Sequence, residues 1–156
     1  MNTSRQGMTL IELLVVVTII GILTRFGTPK YAEIRRQAVA RAVTGDLNAI
    51  RLAAVSYNQD RNQWPANSGR GGTPAVLRSY LPSGFNFRRG SYDLDWDTYT
   101  VTTGRGRTRT TTTVPAVSVW SNDPKLRAAI AKMAKGGMAH VAYANRTMFL
   151  LLGHGA

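Results

Sequence analysis

One acidic side chain occurs in the first thirty residues. Glu12 stands inside an apolar run, residues 8–23, whose only other polar members are Thr9 and Thr18. A carboxylate in such a helix is costly to desolvate and implies a partner or a function that offsets the cost.

Asp93, Asp95 and Asp97 form the next candidate set. Their alternation puts all three on one face of a strand. An all-oxygen calcium site needs six to eight ligands, supplied from a loop, and no glycine-containing loop spacing is present here. The expectation is a solvated strand face and no metal. His140 and His154 are the only histidines and have no acid nearby in sequence, so His140 is expected to be packed or surface-exposed.

Arg105, Arg107 and Arg109 also alternate. As a row they can touch phosphates, with an affinity that falls steeply with salt. The plainer reading, a charged edge that discourages sheet-to-sheet association, is preferred. Gly69-Arg70-Gly71-Gly72 lacks the lysine and the strand-to-helix setting of a phosphate loop. With no cysteine, a disulfide framework, a Cys-containing zinc site and a thiol nucleophile are all excluded. No catalytic set emerges, so the chain is expected to be no enzyme and to need no cofactor.

The elements that carry these residues begin at the N-terminus. Residues 1–7 are polar and include Arg5, and the apolar run follows directly. That order suggests an export signal. An ordinary signal peptide would show small residues in an A-x-A-like arrangement after the run, whereas residues 24–37 contain Arg25, Lys30, Glu33, Arg35 and Arg36. A soluble core helix fails too, because the run has no polar face and a chain of 156 residues has no core deep enough to hide it. Sixteen to twenty helical residues give ~24–30 Å, enough for a single membrane anchor.

Gly7, the run from Met8 to Val16 and Glu12 within it resemble the processing and methylation motif of type IV pilins and type II secretion pseudopilins. Pro29 and Tyr31 fall where that family has a helix-bending proline and a nearby aromatic. The match covers about the first 35 residues. Met8 stands where the family most often has phenylalanine, and Arg25 where relatives are small and apolar. The lipid-embedded part therefore ends near Leu23, or Arg25 snorkels to the interface.

The resemblance implies that a prepilin peptidase cuts between Gly7 and Met8 and that the new amino terminus of Met8 is N-methylated. It implies that Glu12 pairs with the amino terminus of a neighbouring subunit, a register role that physics allows because a buried carboxylate is tolerable when paired. It also implies an inner-membrane protein with its leader in the cytoplasm, an assembly platform as partner, and a homo- or hetero-polymer as product.

Beyond Lys30 the pattern turns amphipathic. Tyr31, Ile34, Ala38, Ala42, Leu47, Ile50, Ala54 and Tyr57 recur mostly at three- or four-residue steps, which predicts one helix from Met8 to about Asn58, bent at Gly27 or Pro29. Residues 58–73 read as a loop tacked down by Trp64, and 74–81 as a short helix between Pro74 and Pro82. Strands are expected around residues 92–98 and 108–119, joined by a turn at Gly104–Arg107. A helix from Pro124 to Lys135, stopped by Gly136-Gly137, and a hairpin of 139–144 with 147–152 complete the chain.

The expected fold is α+β and pilin-like: a long N-terminal helix packed on a small antiparallel sheet with minor helices. Its parts are a leader at 1–7, a transmembrane and filament-core segment at 8–28, and a globular domain at 29–156 that includes the amphipathic half of the helix. Function is then assembly: a structural subunit of a pilus or pseudopilus. Two alternatives remain. One is a minor pilin that binds DNA or a surface, motivated by a net charge of +12, or +11 without Arg5, of which nucleic acid is the natural partner. The other is a membrane-anchored periplasmic protein that never polymerises.

Overall fold

A computed structural model of the chain describes residues 8–103, 109–134 and 138–151, the side chains of 26, 27, 103 and 134 excepted. The leader with Arg5 and Gly7, the Gly104–Arg107 turn with Arg105 and Arg107, the Lys135–Gly137 stop and His154 lie outside the described residues. Two compact units divide between Arg35 and Arg36.

Helix α1, Leu10–Arg61, carries residues of both units. In the first unit its apolar side chains are exposed on all sides, from Leu10 at 83% to Val16 at 46%. The hydroxyls of Thr18, Thr24 and Thr28 each donate to the carbonyl four residues earlier, at 2.7, 2.8 and 2.8 Å. These polar groups are thereby satisfied within the helix. Pro29 lies inside α1 and has no N–H to give to the carbonyl of Arg25.

In the second unit the buried stripe of α1 is Ala40, Val43, Leu47, Ile50, Ala54 and Tyr57. From Leu47 onward this is the stripe expected from the sequence; before Leu47 the phase differs. Ala38 and Ala42 are exposed, as are Tyr31 and Ile34 in the first unit. Counting from Tyr31 ran the apolar surface of one unit into the packed surface of the other.

The sheet is antiparallel with strand order β1-β2-β3-β5-β4. Its strands are β1 (Arg88–Arg89), β2 (Tyr92–Thr103), β3 (Thr110–Trp120), β4 (His140–Ala142) and β5 (Arg146–Leu150). Alternation sends Leu94 and Trp96 of β2, Val117 and Val119 of β3 and Phe149 of β5 to the face that shares one core with the α1 stripe. Helix α2, Pro124–Ala134, adds Leu126 and Ile130 to that core. Asp123 caps it, accepting from the amide of Lys125 at 2.9 Å, with Pro124 at the first helical position.

The α+β, pilin-like architecture matches the expectation, with local corrections. The helix continues to Arg61, where Asn62 takes a left-handed φ of 53° and its N–H closes on the carbonyl of Asn58. Residues 75–77 form a single 3-10 turn in place of the helix read over 74–81, since so short a stretch between two prolines cannot repay helix nucleation. Strand β1 went unread because two residues carry no periodicity. Strand β2 runs to Thr103, where β-branched threonines pair across to β3.

The loop after α1 is pinned at several points. Buried Trp96 donates its indole N–H to the carbonyl of Pro65 at 2.9 Å, and Asn67 Oδ1 accepts from both the amide and the hydroxyl of Thr98. At Gly72 a Cβ would lie 2.5 Å from the carbonyl oxygen of Ser68, so the close approach requires glycine.

Candidate functional site

Thr9 and Glu12 form the first turn of α1. The amide and the hydroxyl of Thr9 both donate to Glu12 Oε2, each at 2.8 Å, and the amide of Glu12 approaches Thr9 Oγ1 at 3.4 Å. This is a capping box, in which an N-cap threonine and a glutamate three residues on satisfy each other's backbone. Its signature, threonine, two residues, glutamate, was legible in the sequence and was missed there, because the carboxylate drew attention as a charge in lipid. The other oxygen, Oε1, accepts no hydrogen bond among the described residues. The geometry leaves Glu12 half satisfied: one oxygen holds the helix start and one remains to accept a donor from elsewhere.

The helix beyond it is long and apolar enough to cross a membrane, with none of its most apolar 18-residue window buried. The family described as "Prokaryotic N-terminal methylation motif" matches residues 2–24, the stretch that holds Gly7, Met8 and Glu12. The N-terminus of the chain carries this methylation motif.

Relatives of this pilin-like chain include a "Fimbrial protein" of Neisseria meningitidis, 32% identical over 72 residues, which are 46% of this chain and 42% of that one. "Fimbrial protein EcpC" of Eikenella corrodens is 36% identical over 75 residues, 47% of this chain and 48% of that one. "Type II secretion system core protein G" of Vibrio cholerae is 31% identical over 88 residues, 56% and 60% respectively. The chain thus spans about half the length of the curated relatives it matches. No solved structure matches it.

The other residues singled out in the pilin-like sequence are dispersed. Asp93, Asp95 and Asp97 share a strand face, as expected, but that face is not solvated throughout. Asp95 is only 8% exposed, and its Oδ1 has no hydrogen-bond partner among the described residues. Asp93 pairs with Arg70 at 2.8 Å, and Arg70 lies over the Trp120 ring, 5.2 Å from its centroid. Arg146 lies over the same ring at 5.1 Å. These covering side chains come from a loop and two other strands, so alternation within β2 did not reveal them. Burial, then the neighbouring Asp97, pushes the Asp95 carboxyl above its usual range, with Trp120, Arg146 and Arg70 pulling the other way. No three acids or histidines converge as metal ligands among the described residues.

His140 is half-buried in β4, its ring 5.7 Å from that of Phe149. Arg109 is exposed immediately before β3.

Two polar junctions escaped the sequence. Asp46 of α1 accepts from Arg89 and from the Tyr92 hydroxyl. Asp123, the α2 cap, also accepts from Arg36 Nε at 3.1 Å. Burial works against the Asp123 charge, but Arg36 and the amides of Lys125 and Leu126 outweigh it and hold the carboxyl below its usual range.

Proposed function

We propose that this chain is a subunit of a type IV pilus or related pseudopilus, assembled through its N-terminal helix. The observation that carries the reading is the free Oε1 of Glu12, at the head of an apolar helix whose threonines at 18, 24 and 28 are bonded internally. In this reading a prepilin peptidase cuts between Gly7 and Met8, and Met8 is N-methylated. Before assembly the segment 8–28 lies in the inner membrane with the leader on the cytoplasmic side, and residues 29–156 fold outside. An inner-membrane platform then passes the subunit into a homo- or hetero-polymer. Glu12 Oε1 accepts from the amino terminus of Met8 in a neighbouring subunit, and Gly27 and Pro29 are the places where the helix bends.

The physics supports the pairing. A carboxylate carried out of water needs donors for its charge, and Thr9 supplies them to one oxygen only. A neighbouring ammonium completes the set at low dielectric, where a charge-assisted hydrogen bond is strong.

The test is the intact mass and N-terminal sequence of the chain extracted from membranes of cells that contain a prepilin peptidase, followed by assembly of Glu12→Ala. The expected chain starts at Met8 with one added methyl, and the variant stays in the membrane unassembled. A chain that still starts at Met1, or a variant that assembles normally, sinks the reading. Normal membrane retention without any polymer of the wild type favours a non-polymerising anchor instead.

A further inference from the structure

Past Trp96 the inner face of the sheet changes character. Thr98, Thr100 and Thr102 of β2 stand opposite Pro115, Thr113 and Thr111 of β3, so the face that carries Leu94 and Trp96 continues as threonine. There a cleft of about 620 Å³ opens between that threonine surface and the segment from Asn58 to Ala66. It is an open groove and not an enclosed cavity.

The lining has a consistent chemistry. None of its ten residues is charged, in a chain with 20 bases and 8 acids. Of the flanking charges, Asp60 is taken up by the Tyr80 hydroxyl at 2.8 Å, and Arg61 interacts with the same hydroxyl. Trp64 is half-buried: it packs against the core and also lines the cleft. Its indole N–H and the side chains of Asn58, Asn62 and Thr113 make no hydrogen bond among the described residues. Gln63 uses one amide hydrogen on the Tyr57 hydroxyl at 3.3 Å, which leaves its carbonyl oxygen free. The wall is held in place by Trp96 on Pro65 and by Asn67 on Thr98, so little ordering remains to oppose binding.

An indole surface surrounded by amides and hydroxyls, without a charge, suits a ligand that offers C–H faces and many neutral hydroxyls. A polyanion would find no cation in the lining to replace its counterions. We propose that this cleft binds a neutral glycan, stacked on Trp64 and hydrogen-bonded by Asn62, Gln63 and Thr113. The site belongs to the second unit alone and stands whether or not the chain polymerises.

The experiment uses the full chain in a detergent without a sugar head group. Cellohexaose, chitohexaose and a neutral dextran fragment are titrated separately, with chemical shifts and Trp fluorescence as readouts. At least one saturates, shifting the amides of residues 62–66 and 111–113, and duplex DNA does not compete. Trp64→Phe, which keeps an aromatic ring packed on the core, and Thr113→Val, at an exposed position, each weaken that binding at least ~5-fold, equivalent to about 1 kcal/mol. The proposal is overturned if none of the three saturates below about 10 mM. Binding that both variants leave unchanged, or that DNA displaces, overturns it as well.

Discussion

Asp46, near the middle of α1, and Arg89, in the two-residue β1, meet through two hydrogen bonds of 2.9 and 3.1 Å although 43 residues separate them. The Tyr92 hydroxyl donates to the same carboxylate at 2.6 Å. Burial and the carboxylate together push that phenol well above its usual range. The three groups fasten β1, the shortest strand described, and the start of β2 to the helix.

Removing the acceptor charge therefore loosens that corner. Asp46→Asn is expected to lower unfolding stability by about 1–2 kcal/mol, since it weakens three hydrogen bonds and leaves a part-buried guanidinium with a neutral partner. Tyr92→Phe costs about 1 kcal/mol through one lost bond. Urea unfolding followed by circular dichroism reads both, and an unchanged midpoint for Asp46→Asn would show the junction to be incidental.

The buried stripe of α1 has a definite phase that mutation can read. Leu47→Ala should cost roughly 3 kcal/mol for the methyl groups removed and the cavity left. Tyr31→Ala and Ile34→Ala, at exposed positions, should each change stability by less than about 0.5 kcal/mol. Equal losses at Leu47 and Ile34 would extend the buried stripe back to Ile34, as read from sequence.

Trp96 is fully buried and bonded to the Pro65 carbonyl. Trp96→Phe is expected to cost roughly 2–4 kcal/mol, because volume is lost and a carbonyl is left without its donor. Faster hydrogen exchange in the Pro65–Thr73 loop should accompany the loss; protection equal to wild type there contradicts the pinning role.

Two carboxylates give opposite pH signatures. Asp123 has a folded pKa below its unfolded value, so its contribution is present above the usual carboxylate pKa and lost as pH falls through the folded value. Asp95 has a folded pKa above its unfolded value, so stability declines as pH rises from the unfolded toward the folded value. Thermal melts should show Asp95→Asn more stabilising, relative to wild type, at pH 7 than at pH 3. Asp123→Asn should be destabilising at pH 7 and nearly neutral at pH 2. The reverse ordering for either variant refutes its sign.

Glu12 and the apolar run were legible from residue types alone, because a lone carboxylate among valines and isoleucines has few physical explanations. The strands of the sheet were legible where alternation reported one-sided burial, as at Leu94 and Trp96. Asp95 was misread because its cover comes from Arg70, Trp120 and Arg146, which neighbouring residues in sequence cannot announce. The Asp46–Arg89 junction and the Arg36–Asp123 pair were hidden for the same reason, since both join residues more than forty positions apart. The Thr9–Glu12 box was local and readable, and was overlooked because a stronger anomaly occupied the same residue.

The threonine hydroxyls of the first unit have a consequence for how such helices meet. With Thr18 and Thr24 turned back on their own carbonyls, two copies packed as proposed meet a nearly featureless apolar surface from Leu13 to Thr24, ahead of Arg25. Dispersion holds them together but favours no particular axial offset. Under the proposed assembly, the interaction profile along the sliding coordinate is shallow except for one well, at the offset where Glu12 Oε1 reaches an amino terminus. In that proposed packing a subunit searches freely for its place and is stopped once.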